Sequence, residues 1–356
     1  MTCTQSNKTN VTVNDVIPTP IYGKGVGTTR LFVSDNPESI QLSNFTNGFA
    51  TLWDDTVTGK SSVSYRVFFW HLNKTGQDIK IGLTLGNGSS GSTADSYKVE
   101  SLKTAVAVVS NFQAHGVCAA KALLGSTLDT ATSVDSTIAS NKVGLIKDWT
   151  VPNNYLVGGI IEFNLTNSTS TRGMIYKLRT VAANSTTADL RYNQNAVASA
   201  NGSHPRGSWS FANVEGYADQ NLTQPVTYSL GSGDKNFSIS NTVNDNILSA
   251  ATSYNSSNAL SNPGHYGSIY TVRLNLINSS SSSKTSQIYL NARGGYYGGA
   301  VKYNGTTYGI ANLPPSTGAV HVADVTVGAN QSTTITIQSC HAGGYSLPLG
   351  ILFRTL

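Results

Sequence analysis

The chain has 356 residues, a formal net charge of +5 and only 12% charged residues, about half the share usual in soluble domains. Its lysines and arginines are scattered without a basic block, which argues against a nucleic-acid-binding protein. The hydrophobic residues, 39% of the chain, lie in short runs that favour a buried core over disorder, and no run is long and apolar enough to span a membrane.

The chain opens on a polar extension, residues 1–19, that contains a predicted strand. Val11, Val13 and Val16 give residues 10–17 an alternating apolar pattern, which is typical of a strand with one buried face. Two arrangements are open. The strand pairs at the edge of its own domain, which we favour, or it is donated to a neighbouring subunit by β-strand addition.

Residues 20–195 are predicted to form a first β-sandwich. Runs rich in β-branched and aromatic residues, bounded by turn residues, predict strands at 63–72, 79–85, 156–165 and 173–181. We expect the last two strands to pair. The spacing of alanine and leucine predicts a helix over 111–124, and helical periodicity is nearly absent elsewhere.

A polar stretch at 193–209 marks the predicted domain boundary, and residues 204–356 are predicted to form a second sandwich. Strands are expected there at 268–277, 287–291, 319–327 and 333–338. Short strands at such spacing favour antiparallel sandwiches. The predicted fold class is all-β, with two antiparallel, jelly-roll-like β-sandwich domains in tandem and one short helix.

The acceptor motif for N-glycosylation, Asn-X-Ser/Thr, occurs fifteen times in the chain. The composition gives about eight by chance, so the excess is near twofold. Glycans require exposed positions in an exported protein, and the alternative is that asparagine-rich turns resemble acceptors. Beyond the N-terminal extension, the candidates are Asn44, Asn73, Asn87, Asn164, Asn167, Asn184, Asn201, Asn221, Asn236, Asn255, Asn278, Asn304 and Asn330.

The three cysteines, Cys3, Cys118 and Cys340, are too few for a disulfide framework. A Cys118–Cys340 disulfide and two buried thiols acting as small apolar side chains are equally compatible with the sequence. His115 lies near Cys118 and His341 follows Cys340, but the two pairs differ in spacing, which favours packing over a zinc site.

No catalytic or cofactor-binding pattern stands out. The densest carboxylates, Asp35, Glu38, Asp54 and Asp55, favour turns and caps over a Ca²⁺ site. No nucleophile elbow or complete phosphate loop is present. We therefore predict no catalytic residue, no metal, no cofactor and no enzyme activity.

A run of tyrosines among glycines contains Arg293, Tyr296 and Tyr297. Such tyrosines either form a flat platform for a sugar or a protein or belong to a bulged strand where backbones approach closely, and we favour the second. Trp53 and Trp209 are further candidates for exposed aromatic side chains.

Several short motifs occur in the order found in one group of secreted bacterial proteins. These motifs are 30–38 (RLFVSDNPE), 52–59 (LWDDTVTG), 66–73 (RVFFWHLN), 204–207 (HPRG), 291–295 (NARGG) and 347–349 (LPL). Over residues 20–356 the chain resembles proteins, mainly of Gram-positive spore-formers, that are labelled copper amine oxidase N-terminal-domain or stalk-domain proteins. That label belongs to a separate stalk domain not seen in this sequence. The resemblance therefore implies an exported envelope protein and no amine oxidation.

The sequence predicts a structural protein of the extracellular space or cell surface, glycosylated and self-assembling into a filament, coat or surface layer as a homopolymer. The first alternative is an adhesin or carbohydrate-binding β-sandwich protein with extracellular glycans as partners. The second alternative is a secreted hydrolase. Neither a nucleic-acid partner nor a membrane span is expected.

Overall fold

The computed structural model describes residues 7–356. About 52% of the chain is strand and 8% is helical, the latter made up of one α-helix and five three-residue 3₁₀ helices in the described residues, which confirms the all-β prediction. In chain order the elements of the described residues are β1 (Asn10–Thr12), β2 (Thr19–Pro20), β3 (Tyr22–Val26), β4 (Arg30–Ser34), β5 (Ser39–Ile40), β6 (Phe49–Lys60), β7 (Ser62–Asn73), β8 (Ile79–Asn87), β9 (Tyr97–Val109), α1 (Phe112–Leu124), β10 (Asp129–Thr130), β11 (Thr137–Ile138), β12 (Val143–Val151), β13 (Leu156–Asn167), β14 (Met174–Ala183), β15 (Arg206–Trp209), β16 (Asn213–Tyr217), β17 (Val226–Ser229), β18 (Lys235–Ile239), β19 (Ile269–Asn278), β20 (Lys284–Ala292), β21 (Tyr297–Tyr303), β22 (Thr306–Leu313), β23 (Gly318–Val327), β24 (Gln331–His341) and β25 (Leu349–Thr355).

Two sheets form the first sandwich. One has the order β10-β9-β13-β7-β4-β15, with β11 on β9 and β5 on β7, and the other has the order β12-β8-β14-β6. Apolar side chains from the facing sides of both sheets make one core, to which Phe69 of β7 and Leu178 of β14 belong. This is the alternation expected of packed sheets. The prediction of purely antiparallel sheets is corrected, because β4 and β5 pair parallel to β7, and β16 and β17 pair parallel to β19.

The predicted pairing of strands 156–165 and 173–181 is wrong. Strand β13 pairs with β7 and β9 in the larger sheet, whereas β14 pairs with β6 and β8 in the smaller one. The connection between them crosses from one sheet to the other, as jelly-roll connections do. Both strands exist as predicted, and only their partners differ.

The second sandwich takes in the N-terminal extension as well as the C-terminal half of the chain. Its sheets have the orders β22-β21-β24-β19-β16-β3, with β17 on β19, and β1-β23-β20-β25-β18-β2. Residues 10–26 therefore supply three of its strands, while β15 pairs with β4 of the first sandwich. The chain crosses between the sandwiches in both directions, so the predicted boundaries at 20 and 204 do not coincide with structural domains.

A third core lies between the two sandwiches. The side chains of β7 alternate between two cores: Val67 and Phe69 face the first sandwich's interior, whereas Phe68 and Trp70 face the second sandwich. Because both faces of β7 are buried, residues 67–70 (VFFW) at its centre form a continuous apolar run. Helix α1 also packs into this third core, through buried residues such as Val117 and Leu123.

Helix α1 begins where the sequence predicts. The side chain of Asn111 caps it by accepting a hydrogen bond from the N–H of Ala114 at 3.2 Å, which satisfies one of the free donors of the first turn. Within residues 7–356, no helix has the length and apolar character needed to cross a bilayer.

Candidate functional site

A cleft of about 510 Å³ opens where the two sandwiches meet. The first sandwich and the segment before β15 contribute charged side chains, and the opposite wall is aromatic. The lining includes Asp35, Glu38, His204, Phe112, Tyr266 and Tyr345. This is the one place in the described residues where three side chains of metal-ligand type converge.

The loop that carries the carboxylates of Asp35 and Glu38 is fixed by hydrogen bonds to the buried side chain of His71. The ring of His71 contacts the hydroxyl of Ser34 through Nε2 at 3.0 Å and the carbonyl oxygen of Pro37 through Nδ1 at 2.8 Å. Burial lowers the pKa of His71 to about 4, so the ring is neutral near pH 7 and can accept one hydrogen bond and donate the other. The loop between β4 and β5 is thus fixed at both ends.

The loop that carries His204 is tied to the carboxylate loop through Asn36. The Asn36 side chain donates to the carbonyl oxygens of Asn201 at 2.9 Å and His204 at 3.2 Å, and accepts from the N–H of Asn201 at 2.9 Å. The N–H of Asp35 donates to the carbonyl oxygen of Pro205 at 3.0 Å. Four hydrogen bonds therefore hold the imidazole beside the carboxylates.

The imidazole of His204 lies between the two acids. Its Nε2 is 2.9 Å from Glu38 Oε2, and its Nδ1 is 3.6 Å from Asp35 Oδ2. These two acidic neighbours raise the pKa of His204 to about 10. Burial raises the pKa of Asp35 to about 7 even though His204 opposes that shift, because desolvation of a carboxylate at 5% exposure outweighs one partly exposed cation.

One carboxylate oxygen in this cluster has no partner. Oδ1 of Asp35 is buried and makes no hydrogen bond, although a buried carboxylate normally has all its oxygens bonded. The sequence singled out Asp35 and Glu38 as carboxylates but did not connect them with His204. The signal was weak because the residues lie in loops that only the folded chain brings together.

Asparagines at strand ends account for part of the glycosylation-motif excess. In Asn87, which ends β8, Nδ2 donates to the carbonyl oxygens of Asp95 at 2.8 Å and Ile138 at 3.0 Å. Its Oδ1 accepts from the N–H of Ser89 at 2.9 Å and from the Ser89 hydroxyl at 2.7 Å. Asn73 with Thr75, and Asn278 with Ser280, repeat this arrangement at the ends of β7 and β19.

This strand-end arrangement needs Asn followed two residues later by Ser or Thr, so it has the same sequence pattern as a glycan acceptor. Four of the glycosylation candidates are at most 3% exposed and are corrected here to structural residues, namely Asn73, Asn87, Asn236 and Asn278. In the folded protein their amides are already bonded to buried carbonyl or amide oxygens.

Asn87→Ala should lower the free energy of unfolding by roughly 3 kcal/mol, because it leaves two carbonyl oxygens and the N–H of Ser89 without their partner. Urea unfolding at neutral pH measures this loss. Asn221→Ala is the matched control, since Asn221 is an exposed acceptor motif and its loss should change stability by less than about 0.5 kcal/mol. Equal effects in the two variants would contradict the structural role.

The aromatic platform, the less favoured of the two interpretations of the tyrosine run, is not formed. Tyr297 is fully buried, and Arg293 is bound to Asp15 at 2.6 Å, which leaves Tyr296 exposed by itself. Trp53 and Trp209 are also buried. Trp209 lies against Gly207 and Tyr297 lies against Gly299, at positions where a Cβ would meet the ring or its hydroxyl. The structure therefore removes most of the proposed sugar-binding surface.

The Cys118–Cys340 disulfide, one of the two alternatives that the sequence leaves open, does not form. Cys340 is a buried free thiol of the core between the sandwiches, and burial raises its pKa to about 12. Cys118 is disulfide-bonded, so its partner is not Cys340. His115 stacks on Trp70 and His341 packs edge-on against Tyr297, which places both histidines in packing roles.

The N-terminal strand lies at a sheet edge of the second sandwich. Asn10, Val11 and Thr12 pair antiparallel with Val320, Ala319 and Gly318. Val13 is buried beside Tyr289, Ala319 and Leu352, and Val16 packs on the same cluster. The strand therefore pairs within its own chain, but with the sandwich formed by the distant C-terminal half.

No family model and no curated protein matches the chain. Among solved structures, it is similar to the CUB1-EGF-CUB2 domain of human MASP-1/3, with 8% identity, 87% of this chain and 100% of that chain covered, and a TM-score of 0.17. It is also similar to the N-terminal CBM22-1-CBM22-2 tandem domain of Paenibacillus barcinonensis Xyn10C, with 9% identity, 94% and 92% covered, and a TM-score of 0.17. Likenesses at these TM-scores carry no argument, and the resemblance to copper amine oxidase N-terminal-domain proteins stays a prediction.

Proposed function

We propose that the chain is a non-enzymatic structural subunit of an extracellular surface assembly, in which neighbouring subunits exchange the N-terminal strand β1. The observation that supports the proposal most is the way β1 is attached: three residues pair with one edge strand, and one valine fills a small apolar pocket. Membership in the secreted bacterial group named above belongs to the same proposal.

Attachment of β1 by main-chain hydrogen bonds suits exchange between copies. Its three residues are exposed. Besides the ladder and the neighbouring Val13, they are held by two long hydrogen bonds from the Asn10 amide to the carbonyl oxygens of Ala311 and Asn312. In the connection to β2, Ile17 is 87% exposed, whereas Asp15 pairs with Arg293 and Val16 packs beside Val13, so an exchanged strand would carry these contacts with it. An identical strand from a second copy would make the same bonds, which is the basis of strand addition and of domain swapping.

Glycosylation in this proposal is limited to acceptors that the fold leaves exposed, such as Asn201, Asn221, Asn304 and Asn330. Sugar chains there would project from turns without disturbing a core. Mass mapping of glycopeptides from native material tests this component, and a complete absence of sugar at all four would remove it.

A cysteine pair across β1 and β23 tests strand exchange. Val11 and Ala319 are direct partners in the ladder, so a Val11→Cys/Ala319→Cys variant can form a disulfide between the two strands. If strands are exchanged, oxidation of the assembled protein should give a ladder of covalent multimers on a non-reducing denaturing gel. Electron microscopy of the same sample should show ordered polymers.

The matched control is Thr285→Cys/Thr326→Cys, a pair on β20 and β23 inside one sandwich. Its hydroxyls are 2.9 Å apart on the surface, so its disulfide should stay within one chain. If natively purified Val11→Cys/Ala319→Cys protein likewise runs only as a monomer with an internal disulfide, strand exchange is excluded. A protein that is strictly monomeric in solution would remove the assembly proposal as a whole.

A further inference from the structure

We propose that Asp35, Glu38 and His204 bind one divalent transition-metal ion, with Zn²⁺ as the representative ion, at the mouth of the cleft between the sandwiches. This site is independent of strand exchange, because β1 lies on the second sandwich's outer sheet and contributes no residue to the cleft.

The ligand atoms already converge. One nitrogen of His204 and one oxygen from each carboxylate lie within 4.8 Å of one another. Ligands that share a Zn²⁺ ion at about 2.0–2.2 Å are roughly 3–3.6 Å apart in tetrahedral geometry. A contraction of about 1 Å, within reach of the Glu38 and His204 side chains, completes the protein's part of the site, and the ion takes the place of the proton that His204 holds between the two acids.

The orphaned oxygen of Asp35 points to a missing positive partner. Asp35 is 5% exposed and lines the cleft, and its Oδ1 makes no hydrogen bond. A bound cation would offset the cost of burying this carboxylate, which one partly exposed imidazole does only in part.

The supporting residues are arranged as metal sites require. Asn36 joins both ligand-bearing loops through its amide, and His71 fixes the backbone between the two acids. Such groups orient ligands before the ion arrives, and their loss typically weakens binding 10–100-fold. Asn36 and His71 act here as positioning residues, since neither offers a free atom to the ion.

The ligand chemistry selects the class of ion. Two carboxylates and an imidazole suit Zn²⁺, Mn²⁺ or Co²⁺, whereas Ca²⁺ takes six to eight oxygen ligands and rarely accepts nitrogen. Three protein ligands leave a coordination position that faces the open cleft, where water or an acidic or hydroxyl-bearing group of a partner can bind.

Calorimetric titration of the chelator-treated full chain with Zn²⁺ at pH 7.5 tests the proposal. We expect one ion per chain, and Co²⁺ should give visible absorption bands of a low-coordinate site. Asp35→Asn, Glu38→Gln and His204→Gln should each weaken binding at least about 100-fold, and Asn36→Ala about 10–100-fold. Circular dichroism and thermal melting of each variant separate a lost ligand from a lost fold.

The matched control is His321→Gln, which removes a histidine that lies 2.8 Å from a carboxylate of Asp324 on the surface. It should leave zinc affinity unchanged. The proposal is overturned if the wild-type chain binds no zinc at millimolar concentration, in which case the cluster is an ion pair only. It is equally overturned if the His204→Gln and His321→Gln variants bind zinc alike, which would place the bound ion elsewhere.

Discussion

Replacing His341 by leucine should make the protein less sensitive to acid than the wild type, by on the order of 3 kcal/mol of unfolding free energy between pH 7 and pH 4. His341 is 5% exposed, its Nε2 has no hydrogen-bond partner, and its ring packs edge-on against Tyr297 at 4.8 Å and Tyr266 at 6.1 Å. Burial, with a smaller effect of His265, lowers its pKa to about 3.

The sign follows from the direction of that shift. A histidine whose folded-state pKa lies below its unfolded value of about 6.5 stabilises the fold fully above that pH and progressively less as pH falls toward 3. Leucine has nearly the same volume and does not titrate, so the variant lacks this loss. Buried Asp35 and Asp245, with pKa values raised to about 7 and about 6, act in the opposite direction in both proteins and cancel in the comparison.

Urea unfolding at pH 7, 5.5 and 4 measures the effect as the difference between variant and wild type at each pH. The control is His321→Gln, which removes an exposed histidine and should leave the pH profile close to that of the wild type. Parallel profiles for the wild type and the His341→Leu variant would show that the imidazole gains protons without penalty in the folded state, and would place it in contact with water.

Local pattern located the helix and nine of the 25 strands of the described residues, and it missed long strands such as β6 and β9. The predicted strand 79–85 lies inside β8, and the predicted strand 268–277 nearly coincides with β19. Both alternate apolar and polar residues, and that period depends only on the strand itself. The predicted helix 111–124 agrees with α1 for the same reason, since its capping asparagine and its apolar spacing are both local.

Contacts between segments far apart in the sequence could not be predicted from local pattern. Strand β1 pairs with residues 318–320, and Asn36 bonds to His204, 168 positions away. Nothing in either segment specifies the other, because any polar edge strand or loop offers similar hydrogen-bonding groups. The metal-binding proposal therefore depends on the structure, although two of its three ligands were noticed as carboxylates.

The burial of a side chain distinguishes between structural and functional interpretations that the sequence alone does not separate. Asn87-Gly88-Ser89 and Asn304-Gly305-Thr306 have the same acceptor pattern, yet Asn87 is 3% exposed and bonded on all sides while Asn304 is exposed in a turn. Tyr296 and Tyr297 are adjacent in the sequence, but Tyr296 is 58% exposed and Tyr297 is 0% exposed. Tyr296 precedes β21, whereas Tyr297 begins the strand and packs in the core of the second sandwich, so the burial of each tyrosine depends on where the strand begins.

Trp70→Ala should destabilise the protein by about 4 kcal/mol and separate the unfolding of the two sandwiches. Trp70 is 1% exposed and lies in the core between the sandwiches, where it stacks on Phe68 and His115 and lies against Gly343. Its indole N–H has no partner, so the variant loses packing and no hydrogen bond. Calorimetry should show one transition for the wild type and two for the variant.

Tyr192→Ala is the matched control, because Tyr192 is 77% exposed and its removal should change stability by less than about 0.5 kcal/mol. A loss below about 1 kcal/mol in Trp70→Ala, with a single transition, would mean that the third core contributes little. The result also bears on the cleft, whose acidic wall comes from the first sandwich and whose Tyr345 wall follows β24 of the second. Only a rigid junction keeps those walls at a fixed distance, so loss of cooperative unfolding should accompany a wider cleft. The three zinc ligands should keep their spacing, because the first sandwich and the segment that pairs with its β4 carry all of them.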